Sequence, residues 1–226
     1  MKLARLLVAM AFAAVSWGQL PLRPSITAVG TSSVSVAPDL ARVDVGVTTQ
    51  AVTAQDASTS NATLANAVIA ALQTFLGANA NIKTINYSLS PVYNNPAPGQ
   101  SSTIIGYSVS NTVEITLTDL SKIGKTIDTA IASGANRVQG ISFDLQDRNP
   151  PTAQALKAAA VSARTQADAI ASGLNVHTGT VLHASEGVNT STPVLTGVAA
   201  GTASTTVLTG LVVIQASVTL ELAIAP

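Results

Sequence analysis

Two hydrophobic periods alternate along this sequence, and the order of their alternation limits the fold more than any single residue does. Residues repeat every second position over 26–36 and again over 41–47, where Ala41, Val43, Val45 and Val47 share one face and Arg42, Asp44 and Gly46 the other. Pro38-Asp39 separates these runs, which predicts that they form an antiparallel pair. The period then lengthens. Leu64, Val68, Ala71, Leu72 and Phe75 recur at helical spacing behind a Thr53/Asp56 capping pair, and Gly77 stops the helix. Extended alternation returns with Ile82, Ile85, Tyr87 and Leu89 and runs to Pro91. After the turn-rich segment 94–99, a long strand carries Ile105, Tyr107, Val109, Asn111, Val113, Ile115 and Leu117 on one face. Asp119 opens a helix bearing Leu120, Ile123, Ile127 and Ile131 that ends at Gly134, and 138–145 reads as a strand with a bulge at Gly140.

The order over 41–145 is therefore β-α-β-β-α-β, that of a ferredoxin-like unit in which two helices cover one face of an antiparallel sheet. The fold class is α+β, mainly antiparallel, with an extra N-terminal strand and a C-terminal αββ extension. In that extension Asn149-Pro150 opens an Ala-rich helix with Leu156, Ala160, Ala163, Ala167 and Ile170 inward, closed by Gly173. A short strand over 179–184 follows, then a last strand with Val212, Ile214, Ala216, Val218, Leu220, Leu222 and Ile224 on one face. Consecutive strands usually neighbour one another, so one extended sheet is expected. The reading is a single domain over 25–226, with a core at 25–145, an extension at 149–226 and a flexible segment at 189–210.

Composition narrows the chemistry. Only 10% of the 226 residues are charged, against about 25% in an average soluble domain, so the surface must be built from Ser, Thr, Asn, Gln and Gly. No Asp, Glu, Lys, Arg or His lies between Gly187 and Leu220, and a segment without charge is cheap to desolvate. That suits 189–210 to contact with another subunit or to peripheral contact with a membrane. Eleven basic residues balance eleven acidic ones, which leaves no electrostatic footprint for nucleic acid. The absence of cysteine excludes disulfides, a thiol nucleophile and thiolate-bound metal.

Residues 1–18 have the three parts of a secretory signal: Lys2 and Arg5, an apolar run over 6–15, and small residues before Gln19. Cleavage after Gly18 is expected, which gives a periplasmic or secreted protein. It removes both methionines, Met1 and Met10, and the one tryptophan, Trp17, and leaves two more acidic than basic groups. The rival outcome is a leader retained as an anchor.

Reactive constellations are scarce. The two histidines, His177 and His183, with Glu186 nearby, are the only residues that suggest a hydrolase or a metal site, and lone histidines on a strand read more simply as structural. Asp144, Asp147 and Arg148 read as charge pairing and helix capping. No catalytic, cofactor or metal residue is assigned. Four residues stand out as structural or ligand-contacting candidates. Asn111 must satisfy its amide on an apolar strand face, Asn136 follows a helix-ending glycine, and Arg137 can reach a carboxylate such as Glu114 or an anionic ligand. The fourth, Tyr107, is expected to pack opposite Tyr87.

Three segments in order, Gly106-Tyr107-Ser108-Val109-Ser110-Asn111-Thr112-Val113, Asp119 to Lys125 (DLSKIGK) and Gly134 to Phe143 (GANRVQGISF), resemble the signature of the SIMPL domain family, which includes the YggE-like periplasmic proteins. The 82–93 segment, the 26–36 strand and the Ala-rich helix with Arg164 and Asp168 extend the resemblance over nearly all of the chain after the leader. The resemblance implies an exported α+β protein without an established catalytic activity, linked in some members to tolerance of oxidative stress and, in some, assembled into rings. The expected function is that of a non-catalytic envelope protein that forms homo-oligomers and acts by binding or scaffolding, with its ligand unspecified and no cofactor. The alternatives are a membrane-associated ring or pore and a hydrolase built on His177, His183 and Glu186.

Overall fold

The structure is a computed structural model and describes residues 24–95, 100–195 and 209–225. The leader and residues 196–208 of the expected flexible segment lie outside them. Strands β1 (Ser25–Val36) and β2 (Leu40–Ala51) lead into helix α1 (Ala54–Leu76), and β3 (Asn81–Tyr93) and β4 (Ile104–Leu117) follow. A 3-10 turn (Leu120–Lys122) precedes α2 (Ile123–Ala132), then β5 (Arg137–Asp144) and α3 (Asn149–Gly173). The chain ends with β6 (His177–Ser191), β7 (Val194–Leu195) and β8 (Val212–Ala225).

β2 to β5, with α1 and α2, form the ferredoxin-like unit in the expected order, and their sheet runs β3-β4-β2-β5-β7 with every pair antiparallel. The helix ends are where the sequence puts them. The Thr53 hydroxyl accepts from the Asp56 amide at 3.1 Å, and Gly77 leaves α1 at φ 101°, a value that disfavours any side chain. Ile82 and Tyr87 face the helices together although one position is even and the other odd, because an irregularity between Thr84 and Asn86 inserts Ile85 as an extra residue. A second bulge falls at Gln139, one residue from the expected Gly140: Asp44 pairs with Gly140 and Val45 with Val138.

β1 does not pair with β2. Both edges of β2 are already taken, by β4 and by β5, so β1 pairs along its whole length with β8, from Ser25 opposite Ala223 to Val36 opposite Val212. The single extended sheet is thereby replaced by two, the second being three strands in the order β1-β8-β6. Nor is β6 short: it pairs with β8 from His177 to Ser191, so the start of the expected flexible segment is strand. Its Ser, Thr and Gly content hid that length.

Two cores result. In the first, Val43, Val45, Leu72, Ile115, Ile127, Ile141 and Phe143 are fully buried between the five-stranded sheet and α1 and α2, each worth about 1.5–3 kcal/mol. The second lies between α3 and the three-stranded sheet, and its helix face is a stripe of Ala155, Ala159, Ala163, Ala167 and Ala171. Leu156 and Ala160 lie at the margin of that core, and Ile170 is exposed, contrary to the expected inward face. The cause is backbone proximity. A Cβ on Gly30 would stand 2.1 Å from both the Ala159 carbonyl oxygen and the Ala163 nitrogen, so only methyl groups fit along the seam.

Gly30→Ala is therefore expected to cost at least the 1–3 kcal/mol of an overpacked core, read by urea denaturation. Gly187→Ala, where nothing lies within 4 Å, is the matched control and should change little.

Candidate functional site

The five-stranded sheet shows α1 and α2 on one face and a polar row on the other. Asp44 of β2 lies directly opposite Glu114 of β4, which lies opposite Lys83 of β3. Lys83 Nζ sits 2.9 Å from Glu114 Oε1, an ion pair by distance whose alignment does not make a hydrogen bond, and Asp44 Oδ1 is buried with no partner among the described residues. Like charges directly opposite one another destabilise a sheet. Burial first, and Glu114 second, push the Asp44 carboxyl above its ordinary range, while Lys83 and Arg42 pull it down.

The four candidate residues occupy the adjoining part of the sheet without converging. Asn136 is a backbone clamp: its Oδ1 accepts from the Thr48 amide at 2.8 Å and its Nδ2 donates to the Thr48 carbonyl at 2.7 Å, continuing the β2–β5 ladder past its last residue. Asn111 faces α1 between Val47 and Tyr87, and its Oδ1 is buried without a partner among the described residues. Arg137 is exposed at the start of β5 and forms no ion pair among the described residues, since Glu114 is held by Lys83. Tyr107 lies opposite Pro91 and Ala51, while Tyr87 lies opposite Asn111, so the expected Tyr107–Tyr87 pair is displaced by four residues. The register is set deeper in the sheet, where Ile82 meets Ile115.

Asn61, which no motif in the sequence marks, does more than any of these. Fully buried on α1, it donates through Nδ2 to the Val47 carbonyl at 2.8 Å and the Val109 carbonyl at 3.2 Å, which fixes the helix to β2 and β4. Its signal was spacing: it falls on the buried stripe of Ala57, Ala65, Val68 and Leu72.

His177, His183 and Glu186 do not form a site. His177 and His183 pair with Ala225 and Glu221 on one face of β6, four residues of β8 or roughly 13 Å apart, while Glu186 pairs with Val218 on the other. Near His177 the Asp168 carboxylate is tied to the Thr178 hydroxyl and to Arg164, and the Thr178 bond is the first cause holding it below the usual range. Among the described residues no three His, Asp or Glu side chains gather to hold a metal ion, and no helix is long and apolar enough to cross a membrane.

What the sheet does offer is an uncharged arm. Between Lys83 and Glu114 the sequence has no Asp, Glu, Lys, Arg or His, and this stretch contains all three tyrosines. It forms most of β3 and β4, with Ile85, Tyr87, Leu89, Tyr93, Ile104 and Ile105 exposed. β6 is a second exposed edge.

The family model for SIMPL, a protein of unknown function (DUF541), matches residues 26–222. The chain is similar to the uncharacterized protein YggE of Escherichia coli K12, 29% identical over 163 residues, covering 72% of this chain and just under two thirds (65%) of that protein. It is also similar to the 26 kDa periplasmic immunogenic protein of Brucella melitensis, 29% identical over 174 residues, covering 74% of this chain and 69% of the other. YggE of Edwardsiella ictaluri is 26% identical over 173 residues, covering 75% and 70%.

The raised Asp44 carboxyl favours the protonated folded state, so its strain is absent at low pH and grows as pH rises through the window above the ordinary carboxylate value. Asp44→Asn should stabilise the protein at pH 7, with the gain vanishing below that window, as followed by thermal denaturation against pH.

Proposed function

The chain belongs to the SIMPL (DUF541) family, and on that premise we propose that it is an exported, non-catalytic envelope protein that assembles with itself and acts by binding or scaffolding. The observation that carries this reading is the uncharged, exposed strand surface of β3 and β4, joined by the free edges of β1 and β6. Such surface is cheap to desolvate, and its unpaired N–H and C=O groups are a template for another strand. The scattering of His177, His183 and Glu186 over two strand faces supports contact rather than reaction as the mode of action. The secretory pattern of residues 1–18 and the word periplasmic in the name of the Brucella relative support an envelope location.

A part in tolerance of oxidative stress would be indirect on this reading. There is no cysteine, and the two methionines, Met1 and Met10, leave with the leader.

The test is the solution mass of the exported protein by light scattering. The expected result is a multiple of the chain mass that persists from low to high salt, because uncharged contacts are not screened, together with fluorescence from tyrosine alone. A monomer at all concentrations, or turnover of a substrate that is abolished by substitution of a single residue, would contradict it.

A further inference from the structure

β3 is the outer strand of its sheet, so one side of its backbone has no partner among the described residues. Proteins guard such edges with charge, bulges and proline, and β3 has one of each: Lys83, the extra residue at Ile85, and Pro91. Between the last two the strand is regular, from Asn86 opposite Thr112 to Ser90 opposite Ser108. Pro91 keeps its place opposite Tyr107 without an N–H, so its backbone turns away from β4. Leu89 and Tyr87, two and four positions earlier on the uninterrupted strand, therefore present N–H and C=O to the same free side. The side chains that accompany them are half-exposed: Ile85 at 45%, Tyr87 at 56%, Leu89 at 42% and Tyr93 at 54%. α1 covers them only as far as Ser58, which takes a long hydrogen bond of 3.5 Å from the Tyr87 hydroxyl.

We propose that two copies of this chain dock β3 against β3, antiparallel, about a two-fold axis at Ser88. The inference rests on the self-assembly reading above and names the surface. In this register Tyr87 of one copy lies opposite Leu89 of the other, and each such pair exchanges both of its backbone hydrogen bonds. Pro91 falls opposite Ile85, so the two irregular positions bracket the ladder instead of interrupting it. The two Lys83 residues end roughly 30 Å apart along the strands, and no like charges meet. Tyr87 and Leu89 from both copies form one apolar patch on the helix face, and Asn86, Ser88 and Ser90 form a hydroxyl and amide row on the other. With aromatic side chains of 150–250 Å² half exposed, each copy offers roughly 500 Å², and the pair comes near the ~1,000 Å² at which specific interfaces begin. A strand is a better occupant than lipid because hydrocarbon leaves the free N–H and C=O groups of Tyr87 and Leu89 without partners. The contact is self-complementary and closes at two copies; larger assemblies then need a second surface such as β6.

The chain has no cysteine, so a single one reports cleanly. Ser88 stands opposite its own copy at a non-hydrogen-bonded position, where Cα atoms lie about 4.5 Å apart, within the range of a disulfide. The full exported protein carrying Ser88→Cys is expected to become mostly covalent dimer under mild oxidation. Ser90→Cys, displaced by four residues from its copy, should stay at least tenfold less cross-linked, and Leu89→Lys should lower the dimer fraction at least tenfold. If the parent assembles but Ser88→Cys links no better than Ser90→Cys, this surface is wrong and self-assembly stands on another edge. If the parent is monomeric at tens of micromolar, both readings fail. Binding of the parent to phosphatidylcholine vesicles with loss of the Ser88 cross-link would also overturn the proposal, with lipid as the occupant.

Discussion

Asp144 stands between the two hydrophobic cores of this protein: Phe143 belongs to one and Leu145 to the other. It is 5% exposed and carries a charge that must be matched where it lies. Arg148 of the turn before α3 supplies bonds of 2.8 and 2.7 Å, Arg42 of β2 one of 3.1 Å, and the Leu145 amide one of 2.8 Å. Burial alone would push this carboxyl up; the bonds from Arg148, the Leu145 amide and Arg42 outweigh it and hold it below the usual range. A carboxyl lowered in this way contributes its stabilisation at neutral pH and loses it as the solution is acidified through and below the ordinary carboxylate value.

The rest of the architecture follows from what meets at that point. β2 is filled on both edges, so the first strand has to cross to the last one and build a separate sheet under α3. Beside Asp144 the Gln146 amide donates to Asp39 Oδ1 at 2.7 Å, tying the link before α3 to the link before β2, and the chain that leaves β6 returns to the first sheet, where the Phe143 amide donates to the Pro193 carbonyl at 3.1 Å and β7 pairs with β5. This arrangement leaves β3 at the far edge of one sheet and β6 at the edge of the other, where no described strand pairs with their outer sides. The exposed, uncharged strands follow from a sheet order that spends the inner positions on β2 and β8.

The sequence is most legible where structure is local. The β-α-β-β-α-β order, the Thr53 cap, the stop at Gly77 and the Asp119 turn depend on neighbours a few residues away, and each is found in place. Pairing of β1 with β8 joins residues nearly two hundred positions apart, and no period in either strand encodes it. The inner face of α3 keeps Ala163 and Ala167 from the expected set but not Leu156 and Ile170, which outweigh alanine on any hydrophobic count, because that face is chosen by the lack of a side chain at Gly30. Tyr107 and Tyr87 do not meet because the register runs from Ile82 opposite Ile115 through the extra residue at Ile85, and Asn61 is silent in the sequence because its partners are backbone carbonyls that no sequence displays.

The measurement that bears most directly on this account is hydrogen exchange across a urea series, read by mass for β2 and β5 of the first core and for β1 and β8 of the second, in the parent and in Asp144→Asn. The account predicts that both cores of the parent open together, and that in the variant β1 and β8 lose protection at lower urea than β2 and β5. A variant whose cores still open as one unit with nearly the parent's midpoint would show that the buried carboxylate does not join them.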